Sequence, residues 1–137
     1  MERRIYYHDT DSGGVVYYAN YLKYMEEART EYLQQHGLLD RQLKERNFLY
    51  AVRQCLVKYK APARYGDSIT CDAVLTKMTA AQLIFDQTVR NKETGQILVE
   101  AQIALVCLTP EFKPTQLPDY FRKGLGEQNT QALVNPP

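Results

Sequence analysis

One long amphipathic segment followed by a long stretch of strand-type sequence constrains this fold more than any other feature. Apolar side chains recur at helical spacing between about residues 20 and 36, at Tyr21, Met25, Ala28 and Tyr32. Gly37 follows as a helix stop. Alternation with a period of two predicts strands at 2–8, 48–60, 68–77, 83–90 and 97–108. Short helices are predicted at 40–46 and 119–123.

This order of elements predicts an α+β fold, in which one long helix is wrapped by a five-stranded antiparallel sheet. Residues 1–124 form a single domain, and residues 125–137 have the composition of a disordered tail. A single helix cannot cover both faces and the edges of five long strands. We therefore expect a second copy of the chain to cover the remainder, giving a homo-oligomer, either a dimer or a tetramer.

The composition narrows the possible functions. A net charge of +1 with 24% charged residues gives no basis for nucleic-acid binding. No apolar run approaches the roughly 18–20 residues of a membrane span. The three cysteines are far apart and show neither a disulfide framework nor metal-ligand spacing, so no metal or cofactor is predicted. Each cysteine is expected to be a small core residue, and the location is expected to be cytoplasmic.

Residues 6–21, YYHDTDSGGVVYYANY, combine the end of a strand, an acidic loop and the start of the long helix. The loop carries two carboxylates, Asp9 and Asp11, before a pair of glycines. A helix start exposes unpaired amide groups, so a carboxylate and an oxyanion donor come close together, as acyl chemistry requires. The same residues also suit a tight turn with a helix cap, and composition alone does not decide between the two interpretations.

The run at 6–21, continuing into EARTE at 27–31, resembles the signature of hotdog-fold acyl-CoA thioesterases of the 4-hydroxybenzoyl-CoA thioesterase superfamily. It is most similar to the bacterial Tol–Pal-associated acyl-CoA thioesterases, and APAR at 61–64 with Gly66-Asp67 resembles the same branch. The similarity covers about residues 3–118. The resemblance implies that Asp11 is the essential carboxylate and that the backbone N–H of Tyr18 is the oxyanion donor. It also implies an active site at a dimer interface, with dimers pairing into tetramers.

The substrate implied by the resemblance is an acyl-CoA thioester, with an acyl carrier protein as an alternative carrier. The candidate substrate-binding residues are Gly14, Val16, Arg64 and Lys77. Arg64 and Lys77 would contact phosphates, although a solvated role suits each equally well. Two positions depart from the relatives: Tyr18 replaces a histidine, and a lone Lys77 replaces a basic cluster.

The chemistry of a thioester requires little catalytic machinery, because its leaving thiolate is a modest base. Asp11 can act as nucleophile or as general base, and the sequence does not choose between them. Asp9 is expected to hydrogen-bond loop amides instead. A hotdog dehydratase or hydratase is an alternative, but it normally needs a catalytic histidine, and the loop offers only His8. A non-catalytic acyl-binding protein is the other alternative.

Overall fold

The computed structural model describes residues 1–38 and 40–125. Its helices are α1 (Asn20–Gln35), α2 (Asp40–Glu45) and α3 (Asp119–Gly124). Its strands are β1 (Glu2–Arg4), β2 (Leu49–Tyr59), β3 (Ser68–Cys71), β4 (Val74–Met78), β5 (Gln82–Asn91) and β6 (Ile97–Leu108). None of the helices in the described part of the chain combines the length and apolar character that a membrane span requires. Of the predicted tail at 125–137, residues 126–137 lie outside the described residues. The prediction is wrong for Leu125, which is buried in the core.

The strands form one antiparallel sheet in the order β1-β3-β5-β6-β2, with β4 also paired to β5. Helix α1 packs across one face of this sheet, where Tyr32 meets the ring of Phe85 edge-on at 5.4 Å. The buried side chains of α1 and of the central strands form a single hydrophobic core. The predicted α+β class and the wrapped long helix of the hotdog fold are therefore confirmed.

The predicted strand at 68–77 is two strands, so the sheet has six strands where five were expected. The interruption falls at Asp72 and Ala73. The Asp72 carboxylate accepts the Thr88 amide at 2.9 Å. Its backbone carbonyl accepts the Gln87 side-chain amide at 3.1 Å. The Asp72 side chain thus takes the place of ladder hydrogen bonds at this point. The alternation of polar and apolar residues in the sequence does not reveal such an interruption.

The predicted first strand is also shorter than expected and ends at Arg4. A 3₁₀ turn at Tyr7–Asp9 replaces its second half. The Asp9 carboxylate accepts the Tyr6 amide at 2.8 Å, and the Asp9 amide donates to the Tyr6 carbonyl at 3.0 Å. This local bonding offers the backbone an alternative to the sheet ladder.

The cysteine prediction is right for two residues and wrong for the third. Cys71 and Cys107 are buried, but Cys55 is exposed. Cys55 lies on β2, an edge strand that pairs with β6 alone among the described strands. The same strand also exposes Val52 and Leu56. The single chain thus leaves part of β2 uncovered, although Tyr50 and Val57 of this strand pack against the core.

Candidate active site

The acidic loop folds back on itself as a short hairpin. Thr10 and Val16 form an isolated antiparallel bridge. The Asp11 amide donates to the Val15 carbonyl at 2.9 Å, and the Gly14 amide donates to the Asp11 carbonyl at 3.0 Å. Gly14 has φ +75°, which a side chain would strain. The paired glycines thus let the chain turn sharply between the first strand and α1.

Asp11 lies exposed at the tip of this hairpin. Its Oδ1 accepts the Gly13 amide at 2.8 Å. No hydrogen-bond donor among the described residues reaches its Oδ2. The carboxylate lines a cavity of about 520 Å³ whose walls include the rings of Tyr7 and Tyr65. One oxygen therefore orients the carboxylate in the turn, while the other remains available for chemistry.

Asp9 has the opposite environment, with only 3% of its surface exposed. Its carboxylate accepts Tyr24 Oη at 2.7 Å, the Tyr6 amide at 2.8 Å and Arg3 Nη2 at 3.3 Å. Burial alone would raise the pKa of Asp9, but these hydrogen bonds and the Arg3 charge outweigh it and lower the pKa below its usual value. Asp9 therefore fastens the loop to β1 and α1, in agreement with its predicted role.

The lowered pKa of Asp9 predicts how stability depends on pH. A carboxylate with a depressed folded-state pKa stabilises the fold above its unfolded pKa of about 3.9, and this contribution is lost as the pH falls through the folded value. We expect Asp9→Asn to lower the free energy of unfolding at pH 7 by about 1–3 kcal/mol. Urea unfolding at pH 7 and at lower pH would show the difference shrinking below about pH 4. A constant difference would contradict the linkage.

Tyr18 immediately precedes the N-terminus of α1 and is 61% exposed. The N-cap residue, Ala19, provides no side-chain hydrogen bond. The amides of Tyr18 and Ala19 donate to no backbone or side-chain acceptor in the ranges 1–38 and 40–125. Tyr59 Oη donates to the Tyr18 carbonyl at 3.2 Å. The helix start thus offers unused N–H groups to a ligand, together with the positive end of the helix dipole.

Tyr18 and Asp11 line different cavities in the single chain. Tyr18 borders a cavity of about 280 Å³ with Tyr21, Tyr59 and the edge of Val16. Asp11 shares its own cavity with Gly14. The Val16 side chain is buried and its amide donates to the Ala63 carbonyl at 2.9 Å, so the backbone of the loop runs between the two cavities.

The two predicted phosphate contacts lie far apart. Arg64 is exposed and forms a bridge with Val15, so it stands beside the loop. Lys77 pairs with Ile84, which pairs with Ala104. Leu98 lies at the end of the sheet that is nearest the acidic loop, and Ala104 is six residues further along β6. At the rise of a β-strand, six residues correspond to about 20 Å along the sheet between the level of Lys77 and the loop. Within one chain the structure brings Arg64, but not Lys77, to Asp11.

Three residues were not identified as site residues from the sequence. Tyr7 and Tyr65 flank Asp11, with ring centroids 6.0 Å apart. Tyr65 has a weak signal, since it directly follows the Arg64 of the turn. Arg29 lines neither of these two cavities but is buried. It belongs to the EARTE run, but its burial was not predicted, because an arginine on an amphipathic helix normally faces solvent.

Comparison with known proteins identifies the family of the chain. The thioesterase-like superfamily matches residues 6–125. The acyl-CoA thioester hydrolase YbgC of Escherichia coli O6:H1 is 40% identical over 116 residues, which cover 84% of this chain and 86% of the relative. The acyl-CoA thioesterase YbgC of Haemophilus influenzae is 32% identical over 117 residues, covering 84% and 85%.

A solved structure gives the same result at the level of the fold. The crystal structure of a 1,4-dihydroxy-2-naphthoyl-CoA thioesterase from Synechocystis superposes with a TM-score of 0.84 at 28% identity, covering 99% of this chain and 97% of that chain. The family match thus extends over nearly all the described residues, and the fold agrees with that of a solved thioesterase. The chain belongs to the thioesterase-like superfamily.

Proposed function

We propose that this chain hydrolyses acyl-CoA thioesters to a free acid and CoA, with Asp11 as the reacting carboxylate and the Tyr18 amide as oxyanion donor. The observation that carries the proposal is the exposed Asp11 carboxylate, which keeps one oxygen free a few residues before a helix start with unused amides. The related proteins named as acyl-CoA hydrolases support the choice of substrate.

The reaction needs only a reacting carboxylate and a donor that stabilises the oxyanion. Asp11 either attacks the thioester carbonyl or removes a proton from an attacking water. In both cases negative charge develops on the carbonyl oxygen, and an amide at a helix N-terminus stabilises it. Asp9 cannot take the reacting role in this arrangement, because its oxygens already accept hydrogen bonds from Tyr24, Tyr6 and Arg3.

The geometry favours hydrolysis over hydration. A hydratase would need a histidine beside the carboxylate that reacts. In the loop, Nε2 of His8 lies 3.8 Å from Oδ2 of Asp9, which is the buried carboxylate that holds the loop and not the exposed Asp11. The exposed Asp11 also argues against a purely acyl-binding protein, since binding alone does not require a free carboxylate beside the ligand.

Hydrolysis is tested by incubating the protein with acyl-CoA esters of rising chain length and with aromatic acyl-CoA esters, and by measuring the CoA released. The same acyl groups carried on an acyl carrier protein test the alternative carrier. Turnover of at least one ester above the uncatalysed rate supports the proposal. Tight binding of every ester without release of CoA would favour the acyl-binding alternative. A cytoplasmic location, where thiols stay reduced, is the setting we infer.

The site is expected to be completed by a second copy of the chain. The edge strand β2 has unpaired backbone groups and exposed apolar side chains, which is the kind of surface that another copy covers. We expect a dimer, and most simply a tetramer of two dimers, in sedimentation or light scattering at micromolar concentration. A monomer that is fully active at the concentration of the measurement would contradict the interfacial site.

A further inference from the structure

Two separate cavities each border both α1 and β2, and we call the strip of surface between them the groove. At one end of this strip the first cavity lies at Tyr18 and Tyr59, beside the helix start. Leu22, one turn further along α1, is exposed. At the other end lies a cavity of about 230 Å³ lined by Glu26, Arg29, Thr30, Tyr50, Val52 and Leu105. On α1, the spacing of Leu22, Glu26 and Arg29 places them on one side of the helix. The helix start with its oxyanion donor and the far cavity thus lie along the same side of α1.

Arg29 at the far end of the groove is 7% exposed. Its Nη1 donates to Gln87 Oε1 at 2.9 Å, and Gln87 Nε2 donates to the Met25 carbonyl at 2.9 Å. No carboxylate of the described residues forms an ion pair with the guanidinium. Burial lowers the pKa of Arg29 from its usual value, but an arginine stays charged at neutral pH. A nearly buried cation therefore borders the cavity. Among the described residues its hydrogen-bond partner is the neutral amide of Gln87, and Glu26 interacts with it through charge without forming a salt bridge.

An unpaired buried charge is costly, and a bound anion would remove that cost. A carboxylate matches the flat guanidinium and forms short, charge-assisted hydrogen bonds with it. The exposed apolar side chains of Leu22 on α1 and Val52 on β2 lie along the groove, and they suit a hydrocarbon chain and not a free inorganic anion. The ligand should therefore be apolar along its length and anionic at its end.

We propose that Arg29 receives a carboxylate at the distal end of the acyl chain, so that the preferred substrates are CoA thioesters of dicarboxylic acids. The inference rests on the proposed function in taking acyl-CoA as the ligand. The helix rise from Tyr18 to Arg29 corresponds to about 16 Å. A medium-length chain thus reaches from a carbonyl at the helix start to the guanidinium.

Glu26 is the acidic side chain that faces the same cavity. It is exposed and forms no salt bridge with Arg29, but its charge opposes the lowering of the Arg29 pKa by burial. Glu26 therefore weakens the attraction of a carboxylate without cancelling it. Glu26 also provides a second variant at the surface, where a substitution does not endanger the core.

Binding is measured with two CoA thioethers of equal chain length, in which CH₂ replaces the acyl carbonyl. One thioether ends in a methyl group and the other in a carboxylate. Their CoA moieties are identical, so phosphate contacts cancel in the ratio of dissociation constants. We expect the wild-type protein to bind the carboxylated thioether at least about tenfold more tightly at the best chain length.

Arg29→Gln should abolish this preference, and Glu26→Gln should increase it by removing a like charge. Arg90→Gln, which removes the same charge at an exposed position of β5, is the matched control and should retain the wild-type ratio. Equal affinities in the wild-type protein, or a preference that survives in folded Arg29→Gln, would overturn the inference. If Arg29→Gln does not fold, the inference is tested by the ratio of dissociation constants in the wild-type protein and by the change of that ratio in Glu26→Gln.

The thioethers report binding independently of turnover. Hydrolysis of aliphatic esters without any preference for carboxylated thioethers would overturn the inference and leave the proposed function intact. A clear preference for the carboxylated thioether without hydrolysis of any ester would contradict the proposed function and support the assignment of Arg29.

Discussion

Asp11→Asn is expected to lower kcat for acyl-CoA hydrolysis by a factor of ~10²–10⁴, while the melting temperature and assembly stay unchanged. The amide is nearly isosteric, and its oxygen can still accept the Gly13 amide, so the turn is retained. It can neither attack a thioester nor accept a proton at neutral pH. The comparison is made at saturating substrate, with a thermal melt of each protein.

Asp9→Asn is the internal control for this measurement. It should lose stability, because its carboxylate is bonded to Arg3 and Tyr24, and should lose less activity in its folded fraction. A nearly unchanged rate in Asp11→Asn combined with an inactive, folded Asp9→Asn would mean that the carboxylates have exchanged roles. If both variants are active, the loop is only a turn.

Tyr18→Pro is expected to reduce kcat by roughly 10²–10³, about 2.7–4 kcal/mol of barrier, because proline has no N–H to hold the oxyanion. The substitution removes the ring contacts of Tyr18 with Tyr17 and Tyr59, but two observations limit the structural damage. The Tyr18 amide has no acceptor among the residues that the structure describes, so no internal hydrogen bond is lost. The side chain is also largely exposed. A thermal melt verifies that the restriction on Tyr17 before proline does not disturb the loop.

Tyr18→Phe keeps the amide and the ring and should retain most of the activity. A loss in Tyr18→Phe as large as that in Tyr18→Pro would assign the effect to the hydroxyl group. Full activity of a folded Tyr18→Pro would show that another donor, such as the Ala19 amide, stabilises the oxyanion.

Periodicity correctly predicted the helices and strands whose side chains keep one repeating pattern of burial from end to end. Helix α1 was expected from about 20 to 36 and spans Asn20–Gln35, and the strand expected at 97–108 spans the same residues as β6. The prediction of one strand at 68–77 was wrong because the strand ends where the Asp72 carboxylate accepts a hydrogen bond from the Thr88 amide, and Thr88 lies in a different strand. The sequence pattern around Asp72 gives no information about Thr88, its hydrogen-bond partner sixteen positions away.

The candidate site was predictable where the function lies in one continuous segment. Residues 6–21 contain both Asp11 and Tyr18, so the sequence alone brought them close together. It did not show that they line separate cavities of one chain, because the buried Val16 backbone between them is placed by its bond to Ala63. Arg29 was missed for a related reason: its burial follows from Gln87 on β5, which accepts its hydrogen bond.

The exposure of Cys55 on the edge strand makes it a natural chemical probe of assembly. Burial raises the pKa of the Cys71 thiol to about 12 and also raises that of Cys107, so neither forms the reactive thiolate readily. Cys55 is the exposed one of the three. A thiol-labelling reagent should therefore modify one position per chain in dilute protein, and the labelling rate should fall as a second copy covers β2. The same thiol contributes a fixed background to any assay that detects released CoA by its sulfur.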